Sequence, residues 1–355
     1  MKRTFIGERG ASPVGEVRKG VARKKIASNE RYTFDEAVKI FVSAKEAEGV
    51  RERTVRDYWL YTRYFHDYIK ETQSTTFYLD ELTPKIIRSY VNYLLYERKP
   101  FDGDETRKDK GVIGLRPTSV NIRLRIYRTM CNFWCAEGML DSNPMSSIKL
   151  VKADKYEEVP GIPDEDIDRL LKYLDDRQYA EWRDKTLILT LLDTGLRISE
   201  ALNITIQQID FRELTLAVPS EIAKNRKDRE IPLTREVAKR LKALYEETAG
   251  YFGDDIDYIF YNSYGEQLTP DSFRQRIYRI KKKIGIERLH PHMFRHTFAR
   301  NYVLNGGDIF TLQKILDHAD IQTTRRYVQV DNAHVRKQHN KFSPVKRLFK
   351  EGRRV

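Results

Sequence analysis

Residues 289–327 read LHPHMFRHTFARNYVLNGGDIFTLQKILDHADIQTTRRY. Pro291 suits the first turn of a helix, and Phe294, Phe298 and Val303 recur so that they can face a core. Gly306-Gly307 end that helix. His292 and Arg295 share one helix face. His292 sits in the first turn, where free N–H groups and the positive dipole end favour a phosphate. Asp308 can cap a second helix with an apolar stripe of Ile309, Leu312, Ile315 and Leu316, and His318 follows at its end. A polar connector, DIQTT, leads to a short Arg325-Arg326-Tyr327-Val328 segment. Each residue has a plain alternative. A first-turn histidine is commonly a cap or a packing residue, and HxxRH also describes a basic helix face. His290, His292 and His296 also invite a zinc site, since i,i+4 histidines can share a metal. That version needs a further ligand and sets the Arg295 cation beside the metal.

Composition narrows the class. The chain of 355 residues is long enough for two domains, each with its own core. No apolar run reaches the roughly 18 residues of a membrane span, and no signal h-region opens the sequence. Cys131 and Cys135, four apart in a predicted helix, make a poor disulfide framework and fit a reduced, cytoplasmic protein with two packing thiols. The net charge is +13, but residues 1–31 carry nine Lys/Arg against three Glu, and 333–355 carry eight against one. The two tails therefore hold the whole excess, so a basic pI by itself says little. Clustering inside the body says more. Residues 274–300 hold nine basic residues against Glu287 alone, while 246–271 hold no Lys or Arg. That segregation suggests a surface facing a polyanion.

In chain order, residues 1–31 read as a basic flexible arm without apolar periodicity. Residues 32–148 read as an all-helical unit of four helices, the third opening at Thr83-Pro84 and the fourth at Thr118. Arg123, Arg125 and Arg128 punctuate the last of them among aromatics, a pattern that suits a DNA backbone or ordinary amphipathic packing. A charged stretch ending in Pro and Gly, 149–162, reads as the linker, and the two domains it joins could close around a duplex. The second domain, 163–332, opens with a helical stripe at Ile167, Leu170, Leu171 and Leu174. A buried helix (KTLILTLL) follows and runs into Thr194-Gly195-Leu196-Arg197-Ile198-Ser199-Glu200. Arg197 is held at this junction, with pairing to Glu200 as its plain role. Period-2 alternation at Leu214, Leu216 and Val218, then Ile231 and Leu233, predicts a hairpin carrying Lys224. DYIFY, 257–261, is strand-like. A helix from Thr269-Pro270 turns Arg274, Arg276, Arg279, Lys281 and Lys283 outward, the best candidate for an element along a DNA groove. In the basic tail, 333–355, Ser343-Pro344 can start a short helix with Val345, Leu348 and Phe349, docking on a neighbouring subunit or on its own chain.

Arg197 in TGLRISE, Lys224 in the hairpin, His292-Met-Phe-Arg295-His296, Leu316-Asp317-His318 and Tyr327 occur in one order. That order, with these flanks, resembles the tyrosine recombinase (phage integrase) family, across the whole second domain. The helical unit is similar to that family's core-binding domain. The implied fold is mainly α with a small antiparallel β-sheet: a helical core-binding (SAM-like) domain plus an α+β catalytic domain. One departure is Asp317, where the family usually carries Gly. The resemblance implies a site-specific recombinase or integrase. Tyr327 attacks the scissile phosphate and forms a 3′-phosphotyrosyl link. Arg197, Arg295 and His318 hold the phosphate oxygens, His292 is the acid/base partner, Lys224 protonates the leaving 5′-oxygen, and His296 supports the site. Trading one phosphodiester for another needs no ATP, and the cations remove the need for a metal. A tetramer on two double-stranded DNA sites, exchanging strands through a Holliday junction, is the implied assembly, with accessory bending or directionality proteins as further partners. A type IB topoisomerase-like nicking-closing enzyme and a non-catalytic DNA-binding protein are the competing readings, with the zinc hydrolase a third.

Overall fold

The computed structural model describes residues 31–73, 76–99, 112–153, 161–253, 256–325, 327, 336 and 339–345. The chain divides into two compact units, Met1–Tyr156 and Glu157–Val355.

The first unit holds four helices, α1 (Phe34–Ala47), α2 (Glu52–Thr72), α3 (Pro84–Tyr96) and α4 (Pro117–Ala136). Thr33 and Glu36 form a reciprocal capping box at the start of α1, and Thr83 with Pro84 opens α3. The core is aromatic: Phe34, Phe41, Phe65, Tyr90 and Trp134 are buried together, and the Trp134 indole donates to Ala37 O at 2.9 Å. Cys131 is buried and Cys135 half-buried, both as free thiols. Two of the three α4 arginines do not face solvent. Arg123 lies under the Tyr64 ring, 4.9 Å from its centroid, and only 6% of it is exposed. Arg128 donates to Ile148 O at 2.7 Å. The basic–aromatic interleaving on α4 is therefore mostly packing, with Arg125 left outside.

The second unit runs α5 (Asp164–Tyr173), α6 (Tyr179–Thr194), α7 (Ile198–Ala201), β1 (Ile209–Asp210), β2 (Thr215–Val218), β3 (Arg229–Pro232), α8 (Arg235–Phe252), α9 (Pro270–Ile284), α10 (Pro291–Leu304), α11 (Ile309–Leu316) and α12 (Ile321–Arg325). The strands form one antiparallel sheet in the order β1-β2-β3, with Leu216 opposite Ile231. Helix α6 is the axis of the core, packed against α8 and α10. Its buried Thr186, Thr190 and Thr194 return their hydroxyls to the carbonyls four residues back. Among the described residues no helix is long and apolar enough to cross a membrane.

Three local expectations change. DYIFY is not a strand: Tyr258 and Tyr261 make only isolated bridges, and the consecutive Ile259 and Phe260 are both fully buried. A segment buried on both sides needs no sheet neighbour to satisfy its apolar run. DIQTT is not a connector: Asp320 accepts from Gln322 N at 2.9 Å and starts α12. Arg276 does not face outward, because its Nε donates to the buried Asp184 at 2.8 Å. Residues 1–30 of the arm, residues 154–160 of the linker and the Leu348-Phe349 part of the tail lie outside the described residues.

Candidate active site

Helix α10 starts at Pro291, and its packing on α6 carries Arg295 to the end of that helix. There Gly195, in the left-handed region with φ 64°, turns the chain toward Arg197. Arg295 is 5% exposed. Its Nη1 donates to Gly195 O at 2.8 Å, and its Nη2 donates to Leu316 O at 2.7 Å and to His318 Nε2 at 3.0 Å. No carboxylate bonds it among the described residues. Burial first, and then the neighbouring Arg197 charge, lower its pKa to about 10. It stays a cation at neutral pH, held by carbonyl dipoles and short of a counter-ion.

Arg197 caps the start of α7 and does pair with Glu200, Nη1 to Oε1 at 2.9 Å. The other Glu200 oxygen accepts from Arg229 Nη2 at 2.7 Å. Burial pushes the Glu200 carboxyl up, but Arg229 and Arg197 together hold it below its usual range. Arg197 Nη2 also reaches the Asp317 carbonyl at 3.5 Å, which Asn225 Nδ2 meets at 2.7 Å. Both guanidiniums thus converge on the turn that ends α11. Asp317 sits there with φ 51°, the conformation that favours glycine. Its Oδ2 lies 3.9 Å from Arg197 and 4.0 Å from Arg229, without a hydrogen bond.

His318 follows. Arg295 can only donate, so His318 Nε2 accepts, and its Nδ1–H donates to Thr324 Oγ1 at 2.9 Å. Burial, then Arg295 and Arg197, lower the His318 pKa to about 4. The imidazole is therefore neutral in the absence of an anion. Two turns further, the Tyr327 ring lies nearly parallel to that of His318, at 14° and 6.4 Å. Its hydroxyl meets His296 Nδ1 at 2.7 Å and lies close enough to Arg295 to favour that charge.

His292 stands exposed at the start of α10. Loss of water on its inner side, then Arg295, Arg197 and Lys224, lower its pKa. Lys224 occupies the exposed turn between β2 and β3, its N–H 3.4 Å from Glu200 Oε1. Arg197, Arg295, His318 and Tyr327 are thus linked directly or through one shared turn, and Lys224 and His292 flank them. The contact to the tyrosine comes from His296, not His292. Glu200, in sequence a plain partner for Arg197, also belongs to the site, as do Arg229, Asn225 and Thr324. The Glu200 position three after Arg197 is a legible signal; nothing marks Thr324. Among the described residues no group of three or more His, Cys, Asp or Glu side chains is placed to hold a metal, so the zinc reading finds no ligand set there.

The phage integrase family model matches residues 161–334, and the phage integrase SAM-like domain model matches 33–150. Tyrosine recombinase XerC of Oceanobacillus iheyensis is 28% identical over 298 residues, covering 80% of this chain and 96% of the relative. The Tn1549 transposon integrase, solved in complex with a circular intermediate DNA, superposes with a TM-score of 0.66 at 18% identity, covering 86% of this chain and 99% of that one. A lambda integrase dimer bound to a core site superposes with a TM-score of 0.62 at 16% identity, covering 84% and 78%.

Proposed function

The chain belongs to the phage integrase family, and from that premise we propose how its second unit cuts and rejoins DNA. It is a tyrosine-type site-specific recombinase. Arg197 and Arg295 take the non-bridging oxygens of the scissile phosphate, where two permanently charged forks stabilise the charge that grows during displacement. Tyr327 is the nucleophile. Its oxygen bonds to phosphorus, the bond to the 5′-oxygen breaks, and Lys224 protonates the leaving oxygen. His292 is the acid/base group beside Lys224. His318 adds a donor only after taking a proton; burial first, and then Arg295 and Arg197, keep it neutral, and the negative charge of an arriving phosphate works against the two arginines. The 3′-phosphotyrosyl link conserves the bond, so a different 5′-hydroxyl can reseal it.

The observation that carries this reading is the convergence of Arg197 and Arg295 on one turn, with a tyrosine hydroxyl inside the field of Arg295. The partner is double-stranded DNA carrying recombination sites. Four protomers on two sites, with strands passing through a Holliday junction, complete the scheme. Accessory bending or directionality proteins would bias it, and the cytoplasm is where such DNA is met. The test is covalent capture on a nicked suicide duplex built from the ends of the protein's own element. Wild type should form a protease-sensitive DNA adduct that maps to Tyr327. Tyr327→Phe should bind the duplex within a few-fold of wild type and form none; an equal adduct in that variant overturns the reading.

A further inference from the structure

In that scheme His296 has only a supporting part, yet its Nδ1 is 2.7 Å from the attacking oxygen. His292 is the other acid/base candidate on α10, and it stands exposed at the start of the helix. The two imidazoles lie i,i+4 on α10 with Arg295 between them in sequence, and so line one helix face. We propose that the base is His296: its Nδ1 takes the phenol proton as Tyr327 attacks, while Lys224 serves the leaving 5′-oxygen. This rests on Tyr327 being the nucleophile.

The step balances. The Oη–P bond forms as the P–O5′ bond breaks. The phenol proton passes to His296, which becomes an imidazolium with hydrogen on both nitrogens. A proton from Lys224 caps the 5′-oxygen. Resealing reverses both transfers. A neutral imidazole with hydrogen on Nε2 presents the Nδ1 lone pair that this requires. A free phenol, with a pKa of about 10, is a poor nucleophile at neutral pH, so an acceptor in direct contact has a large effect.

The experiment uses the full chain on suicide duplexes whose scissile phosphate carries either a 5′-bridging oxygen or a 5′-bridging sulfur. A thiolate leaves without a proton, so sulfur rescues defects on the leaving-group side only. Single-turnover capture by His296→Ala should fall about 10²–10⁴-fold at neutral pH with both substrates. The defect should shrink as pH approaches the phenol's own ionisation. Lys224→Ala should lose the oxygen substrate and recover on sulfur. His296→Asn keeps an acceptor but cannot take the proton, and should be as slow as His296→Ala; it carries the test if the alanine variant does not fold. Recovery of either His296 variant on sulfur, or a wild-type rate and pH profile in His296→Asn, overturns the proposal. Tyr327→Phe separates the two levels. An adduct in that variant defeats the nucleophile assignment itself, whereas a Tyr327 adduct formed equally well without His296 defeats only the assignment of His296 as its base.

Discussion

Asp317 stands in a backbone conformation that an L-residue adopts at a cost of order 1–2 kcal/mol, with φ 51°. Its carboxylate faces two guanidiniums from 3.9 and 4.0 Å without bonding either. A phosphate arriving at Arg197 therefore meets a negative charge already in place. Asp317→Asn and Asp317→Gly keep the turn available and remove that charge. Both should bind duplex DNA more tightly than wild type, by several-fold at physiological salt, as read in equilibrium binding. Asp317→Ala removes the same charge but strains the turn, and should melt below the glycine variant by a few degrees. If all three bind DNA as wild type does, the carboxylate is not sensed by the substrate. This position was visible in the sequence as a departure from Leu-Gly-His. What the sequence hid was Arg229, because a strand arginine on an alternating pattern looks like a solvated side chain.

At the scale of elements, the joint between α6 and α10 decides whether the site exists. Gly195 ends α6, and its carbonyl accepts from Arg295. A Cβ there would stand 2.3 Å from Phe298 Cδ1 and 2.8 Å from Leu316 Cδ2, on a backbone with φ +64°. Gly195→Ala should thus push α10 and α11 away from the end of α6. We expect a loss of about 2–3 kcal/mol in unfolding free energy, from overpacking together with the positive φ, and a fall in covalent capture larger than the fall in DNA affinity. Denaturant titration with a capture assay checks both. The helices themselves were legible because caps and periodicity agree: Pro291, Asp308 and Thr269 all open the helices they were expected to open. DYIFY reads as a strand because its apolar run of four, Tyr258 to Tyr261, fits a strand or a buried segment equally well. The one-turn α12 was missed because Asp320 works as a cap without an apolar stripe after it.

At the scale of the whole molecule, α9 presents a basic outward surface to a polyanion. Arg279, Lys282 and Lys283 are exposed, and Arg274 pairs with Asp271 at the surface. Replacing Arg279, Lys282 and Lys283 with Gln should weaken binding about equally across DNA sequences. Each lost phosphate contact should reduce the slope of log affinity against log salt by about 0.9. An unchanged slope would place α9 away from the backbone. Arg276, bonded to Asp184 and Glu181, should be left out of that set, since it anchors α9 to α6 instead. The hydrogen bond from His318 to Thr324 has one more effect. Thr324 lies three residues before Tyr327 in the chain, so the ring proposed to meet the phosphate is coupled through one short linkage to the backbone that carries the proposed nucleophile. Recognition of a correctly seated strand and delivery of the nucleophile then become a single mechanical event, and severing that linkage with Thr324→Val would leave DNA recognised but the cut mistimed.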